Sequence, residues 1–304
     1  VIRIRAEDSP NVRLGLAQKS RGQTPTNEIL VPGVLSWEEY DKRRKRWDKV
    51  QQTVSLDGMF FKGSEVYLFP SEVLTKAVQV AAKYQDDRRR AVAMGVDAAE
   101  GGDDTVWSVI DYLGMFYQKS IKTGDTADIT GITKALIREY QLTPDQVIFD
   151  RGGGGKQHAD RLRRDGFDVR TVGFGESPTD PHKERKTSTV KSPVQERVVR
   201  TETAYAYKNR RAEMYALTAE LFARLGGFGI PSQYSETLRQ LKVLRKQYNG
   251  EGRLYLPPKD KPHPGYTGET IRAMIGRSPD QADSLVLAVY GMVRRPVRVL
   301  AGAM

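Results

Sequence analysis

Three stretches of the chain put carboxylates where a rigid element would hold them. Asp97 closes the apolar run from Ala91, Asp150 closes Val147-Ile148-Phe149, and Asp280 and Asp283 stand three apart in a segment with helical character, so both can project from one helix face. If the strands ending in Asp97 and Asp150 are neighbours and the helix packs across them, the four acids form an oxygen cage. Phosphodiester hydrolysis uses such a cage: one divalent ion activates the attacking water and a second, roughly 4 Å away, stabilises the leaving oxygen. Two ions need a shared carboxylate, and Asp97 is the natural bridge. Each acid also has a plainer reading. Asp97 could be a turn residue ahead of Gly101-Gly102, Asp150 a helix-capping acid, and Asp280 a favourable charge at a helix N-terminus. Asp283 is the most telling singly, because it lies within the apolar run Ala282–Val289, where an unpaired acid is costly.

The rest of the composition narrows the metal chemistry. Cysteine is absent, which excludes disulfides and thiolate sites, and the three histidines, His158, His182 and His263, are widely separated. A bound ion would therefore take oxygen ligands, which favours Mg²⁺ or Mn²⁺. The 304 residues carry 49 Lys and Arg against 38 Asp and Glu, a net charge of +11 that suits a polyanionic partner such as double-stranded DNA. No charged-then-apolar segment opens the chain, and the apolar stretch Ser284–Val293 is too short to span a bilayer, so a soluble intracellular setting is expected. Opening on Val1 and not Met, the chain is expected to be part of a longer protein.

The elements that must position these acids are readable from about residue 91. Ala91–Asp97, Thr105–Tyr112 and Met115–Ile121 read as strands, the last two joined by a tight turn at Leu113-Gly114. A helix is expected over Ala127–Tyr140, a short buried strand over Val147–Asp150, a helix from Lys156 to Asp165 after the glycine run 152–155, and a fifth strand over Phe167–Val172. Strand, strand, strand, helix, strand, helix, strand is the order of an RNase H-like α/β domain with a mixed five-stranded sheet flanked by helices. Later helices are expected over Glu202–Leu225, Ser235–Tyr248 and Pro279–Val293, the last with Pro at its start. The polar stretch from Gly173 to about Arg200 lacks periodicity and is expected to be a mobile loop. Residues 1–90 read as a separate, mostly helical and irregular segment, with turn chemistry at Ser9-Pro10-Asn11, a helix opened by Ser36 and running to about Gln52, a second helix over Ser71–Tyr84, and a charged linker at 86–90. The domain division is thus 1–90 and 91–304.

Against this background the motifs resemble those of phage terminase large subunits. Gly95-Val96-Asp97-Ala98-Ala99-Glu100-Gly101-Gly102-Asp103-Asp104 resembles their first nuclease motif, Val147–Gly155 their second, and Gly276-Arg277-Ser278-Pro279-Asp280-Gln281-Ala282-Asp283-Ser284-Leu285 their third. Tyr207-Lys208-Asn209-Arg210-Arg211-Ala212-Glu213 resembles a further segment that these proteins carry before a long helix. The resemblance runs from about Ala91 to the end. It implies that Asp97, Asp150, Asp280 and Asp283 bind two metal ions, that residues 1–90 are the end of a motor ATPase domain with its linker, and that the protein works in the host cell cytoplasm with the viral portal and small terminase subunit. Lys259 matches a basic position ahead of the third motif and could act near the scissile phosphate, or simply be a surface lysine. Lys156, Arg161, Arg163 and Arg164 on the helix beside the site are candidate backbone contacts or a solvated face, and Lys183 and Lys186 in the polar stretch are further candidates. Gly152–Lys156 fails the Walker A pattern because Asp150 and Gln157 occupy required places, so no ATP hydrolysis is expected of this chain alone.

The leading expectation is a metal-dependent endonuclease that cuts duplex DNA during viral genome packaging. A Holliday-junction resolvase or other RNase H-like nuclease differs in substrate, and a non-catalytic DNA-binding assembly protein differs in having merely structural acids.

Overall fold

The computed structural model describes residues 3–47, 52–59, 66–85, 87, 89–179, 181–182, 204–224, 226–249, 252–262 and 266–294. The chain divides into two compact units, Val1–Val66 and Tyr67–Met304. The division therefore falls well before residue 90. Helix Ser71–Lys83 buries Leu74, Ala77, Val80 and Ala81, and Leu74 and Ala77 join the core of the second unit.

In the first unit, helix α1 (Pro10–Ser20) opens on residues, Ser9-Pro10-Asn11, that the sequence reading assigns to a turn. Pro10 is the first helical residue, where its missing N–H costs nothing, so Ser-Pro-Asn opens a helix instead of bending a loop. Helix α2 (Trp37–Arg46) is capped as expected, Ser36 accepting from the Glu39 N–H, but stops at Arg46, short of Gln52. Val12, Trp37, Tyr40 and Leu56 form this unit's small core.

The second unit begins with α3 (Ser71–Lys83) and is built on one sheet of five strands: β1 (Ala93–Asp97), β2 (Thr105–Asp111), β3 (Gly114–Ile121), β4 (Val147–Asp150) and β5 (Arg170–Val172), in the order β3-β2-β1-β4-β5. The first three are antiparallel and the last two run parallel to β1. This is the RNase H-like arrangement read from the sequence. Helices α4 (Thr126–Glu139) and α5 (Gly155–Arg164) supply the crossovers, and their apolar residues cover one face with Met94, Val96, Trp107 and Phe149. The other face, carrying Ala93, Ile110 and Ile148, is covered by α6 (Arg210–Ala223), α7 (Ser235–Lys242) and the C-terminal helix α9 (Asp280–Val293), with the short α8 (Ile271–Ile275) before it.

Two helices are shorter than their polarity pattern predicts. Helix α6 starts at Arg210 because the Asn209 side chain accepts from the Ala212 N–H at 3.0 Å and closes the helix end. Helix α7 stops at Lys242, and Gln247–Tyr248 instead pairs with Leu254–Tyr255 across a turn at Asn249. Leu254 also bonds to the segment ahead of α6, its N–H donating to the Ala206 carbonyl and its carbonyl accepting from Lys208, each at 2.8 Å.

Helix α9 lies directly on β1, and Gly95 makes that possible. A Cβ at this position would stand 2.0 Å from the Ser284 carbonyl oxygen and 2.4 Å from the Ala288 nitrogen. A buried polar seam fixes the helix along its length: Ser108 and Ser284 hydroxyls are 2.6 Å apart, Gln118 donates to Ser108 Oγ and to the Gln281 carbonyl, and Gln240 accepts from the Ala282 N–H at 2.8 Å. Gly95→Ala is expected to cost about 3 kcal/mol, because overpacking here meets backbone and not a yielding side chain. Gly131→Ala on α4, where a Cβ meets nothing within 4 Å, should instead stabilise by roughly 0.5–1 kcal/mol. Urea unfolding of both variants beside the parent chain checks the pair of signs.

Candidate active site

The register of the sheet brings the first two acids together. Val96 pairs with Phe149 on neighbouring parallel strands, so Asp97 and Asp150 leave adjacent strand ends in the same direction. The loop after Asp97 is pinned by Thr105, whose Oγ1 accepts from the Ala99 N–H at 3.0 Å and donates to the Thr123 carbonyl at 3.1 Å. The turn after Asp150 is glycine because it must be. Gly153 and Gly154 hold φ of 55° and 78°, and a Cβ on Gly155 would stand 1.9 Å from the Asp150 carbonyl oxygen. The glycine run is thus a crowded turn against β1 and β4.

From the opposite side, α9 delivers Asp280 and Asp283 in its first turn. All four acids are buried, Asp283 completely. Two groups that sequence reasoning did not assign to the cluster complete it. Tyr215, on α6, donates to Asp283 Oδ1 at 2.7 Å from a fully buried hydroxyl. Lys259 is no surface lysine: its ammonium stands 2.6 Å from Asp283 Oδ2, and its stem passes Phe174, the ammonium 5.1 Å from that ring's centre. Only its position ahead of the third motif hinted at such a role, and nothing in the sequence singles out Tyr215.

Electrostatics follow from this crowding. Burial, reinforced by Asp283, Asp150 and Asp280, pushes the Asp97 carboxyl well above the usual carboxylate range against the pull of Lys259. Burial likewise raises Asp150 and Asp280. Burial works against the Lys259 charge, yet the carboxylates of Asp283 and Asp97 outweigh it and hold the ammonium above the ordinary lysine range. Burial, then the Asp283 charge, raises the Tyr215 hydroxyl far above its usual value.

Whether these residues suit divalent cations is decided by their free oxygens. Asp150 Oδ1 is shielded from water and has no hydrogen-bond partner, a state that favours either the protonated acid or a cation close by. Asp283 Oδ2 faces only the Lys259 ammonium. In this arrangement no three acids or imidazoles among the described residues converge on one point to enclose an ion. The donor set is all oxygen, which fits a hard cation.

None of the basic residues proposed on α5 makes an ion pair with the four acids. Lys156 and Arg164 are exposed, Arg161 pairs with Asp165 at 3.4 Å, and Arg163 pairs with Asp160 at 2.8 Å while donating to the Val169 carbonyl. Lys183 and Lys186, with most of the stretch expected to be mobile, lie outside the described residues.

A mixed sheet of this order, with two parallel strands beside three antiparallel ones and helices on both faces, is an RNase H-like fold. Among solved structures, that fold is shared with the nuclease domain of the large terminase subunit gp2 of bacterial virus Sf6. The likeness has a TM-score of 0.52 at 18% identity and covers 73% of this chain and 98% of that one. A point mutant of the same domain, solved with manganese and β-thujaplicinol, matches with a TM-score of 0.54 at 16% identity over the same shares. The large terminase nuclease from thermophilic phage G20c with bound magnesium is similar at 18% identity, a TM-score of 0.41, and 66% and 82% coverage. No family model and no curated protein matches the chain.

The raised acids make a sign prediction for stability. A carboxyl whose folded pKa lies above its unfolded value stabilises the fold when protonated, and that contribution is lost as pH rises through the folded pKa. Asp97→Asn and Asp150→Asn are therefore expected to hold or raise the Tm of the metal-free protein at neutral pH, with the gain shrinking as the pH falls. Asp283→Asn differs, since it strips the partner from Lys259 and weakens the Tyr215 bond. It should cost about 2 kcal/mol, less than for a fully enclosed pair because the Lys259 side chain is 30% exposed. Thermal melts of the three variants across pH in chelator-treated buffer test this ordering.

Proposed function

We propose that this chain cuts duplex DNA by metal-assisted phosphodiester hydrolysis, as the nuclease part of a viral DNA-packaging motor. The observation that carries the reading is the buried four-acid cluster with an unpartnered Asp150 oxygen and a lysine as its internal counter-charge. Structural acids are normally matched by caps or ion pairs, whereas four acids sharing one lysine are short of positive charge. The fold shared with the Sf6 large terminase nuclease domain, a mutant of which was solved with manganese, supports the same reading.

Asp97, Asp150, Asp283 and, as a secondary member, Asp280 would hold Mg²⁺ or Mn²⁺, with Asp97 as the expected shared ligand. Two such ions would supply an activated water and charge stabilisation at the leaving oxygen. The chain's own residues do the positioning. Thr105 and the glycine turn fix the two strand-end acids, the polar seam fixes α9, and Tyr215 orients Asp283. Asp280 accepts from the Asp104 N–H at 3.3 Å, so one of its oxygens is already engaged, which suits a secondary ligand. Lys259 must give up Asp283 before that carboxylate can take a cation. Freed, its ammonium stands at the mouth of the site, where it can meet a phosphate.

In this reading residues 1–66 are the end of the preceding ATPase domain, and the portal and small terminase subunit are the partners in the cell. No helix among the described residues is long and apolar enough to cross a membrane.

Supercoiled plasmid with Mn²⁺ should be nicked and linearised by the parent chain and left intact by Asp97→Asn, Asp150→Asn or Asp283→Asn, with Asp280→Asn only partly impaired. Full cleavage by Asp97→Asn would refute the mechanism, and marked preference for four-way junctions over linear duplex would move the assignment to a resolvase. Lys259→Ala should bind Mn²⁺ more tightly, seen as a larger Mn²⁺-induced rise in Tm, while melting lower than the parent chain without metal because four acids then lack their counter-charge.

A further inference from the structure

Arg211 stands in the first turn of α6, 8% exposed, and makes no direct ion pair with any described carboxylate. Its Nη1 donates to the Pro257 carbonyl at 3.0 Å, and its guanidinium lies over the Tyr215 ring, 5.4 Å from the centre. Its Nε and Nη2 are shielded from water without a hydrogen-bond partner, and no carboxylate among the described residues pairs with it. The adjacent Arg210 shows what a structural arginine looks like here: it pairs with Glu176 at 3.4 Å and Glu213 at 3.5 Å, and donates to the Ser177 carbonyl. A buried guanidinium without an anion is among the costlier groups a fold can carry.

The unpartnered atoms are informative. Nε and Nη2 form one edge of the guanidinium, the edge whose two parallel N–H groups grip two oxygens of a single anion. The residue lies beside the acid cluster: the ring beneath Arg211 belongs to the tyrosine that holds Asp283, and the carbonyl bound by its Nη1 lies two residues before Lys259. Arg211 and Lys259 are close enough for their like charges to repel.

We propose that Arg211 is a phosphate-binding residue, its Nε/Nη2 edge receiving the non-bridging oxygens of a phosphodiester in the DNA strand held at the acid cluster. The proposal rests on the nuclease reading for its substrate. The way in is through Lys259, whose side chain is 30% exposed and which loses its partner once Asp283 takes a cation. Pro257 and Tyr215 hold the guanidinium in place beforehand, so the fork is preorganised and the anion arrives with the substrate.

The test uses the full chain and a short fluorescein-labelled duplex, with binding followed by anisotropy over a range of KCl in Ca²⁺, and thermal melts of the DNA-free protein alongside. Arg211→Met should weaken binding and reduce the slope of log K against log salt by about 0.9, the value for one lost phosphate contact, while the Tm without DNA is held or raised. An unchanged slope, or a Tm lowered by several degrees without DNA, would overturn the proposal in favour of an arginine that only supports the fold through water. Should Arg211→Met fail to fold, Arg211→Lys decides: the slope held with affinity lowered several-fold supports a bidentate contact, and binding equal to the parent chain overturns it. These readouts do not depend on cleavage. A parent chain that binds DNA but never cuts it in Mn²⁺ refutes the nuclease reading and leaves the Arg211 result to be read, whereas a parent chain that does not bind DNA refutes both.

Discussion

Four carboxylates held out of water at one end of a sheet repel one another, and the fold around them is organised to withstand that repulsion. Nothing in the burial of Asp97, Asp150, Asp280 and Asp283 is favourable by itself: desolvation dominates the upward pKa shifts of the first three. The opposing terms come from elsewhere. Helix α9 is pressed onto β1 at Gly95 and tied by the seam of Ser108, Ser284, Gln118 and Gln240, so its first turn cannot swing the acids apart. Lys259 supplies one positive charge against several negative ones. The cluster is therefore held together by the fold against its own charge.

The sheet, its order and the four acids are legible in the sequence because they depend on short-range patterns. An apolar run that ends in an acid is visible without knowing its neighbours, and Asp283 betrays itself by interrupting an apolar helix. Tyr215, Arg211 and Lys259 are not legible in the same way. Each owes its role to a contact spanning tens of residues, as with Tyr215 and Asp283 or Arg211 and Pro257, and no local pattern encodes which buried tyrosine or arginine faces an acid. The errors in element ends have local causes. Pro10 reads as a turn yet opens a helix, and Gln247–Tyr248 pairs with Leu254–Tyr255 where the pattern looks helical past Lys242.

The segment bearing Lys259 also separates two jobs that one element usually combines. Towards Leu254 it is bonded by backbone to the residues ahead of α6, and Pro257 is held by Arg211, so the lysine's approach is set from behind. Ahead of it, Ile271 and Arg272 donate their N–H groups to the Pro258 and Lys259 carbonyls at 2.8 and 2.9 Å. The lysine is presented on a short bridge anchored at both ends, with only its side chain free to move.

The outer fastening of that bridge is of another kind. Arg272 reaches Asp103 at 2.8 Å and also pairs with Asp260, joining the loop after β1 to the residue next to Lys259, and all three side chains are between 41% and 50% exposed. Ion pairs so open to water hold weakly and are screened as salt rises, while the backbone bonds behind the bridge are not. The clasp is therefore an ionic-strength-dependent latch on a salt-independent hinge. In dilute buffer the bridge is buckled to the rim of the site. As the ionic strength rises the buckle slackens, and the bridge is left to its backbone bonds.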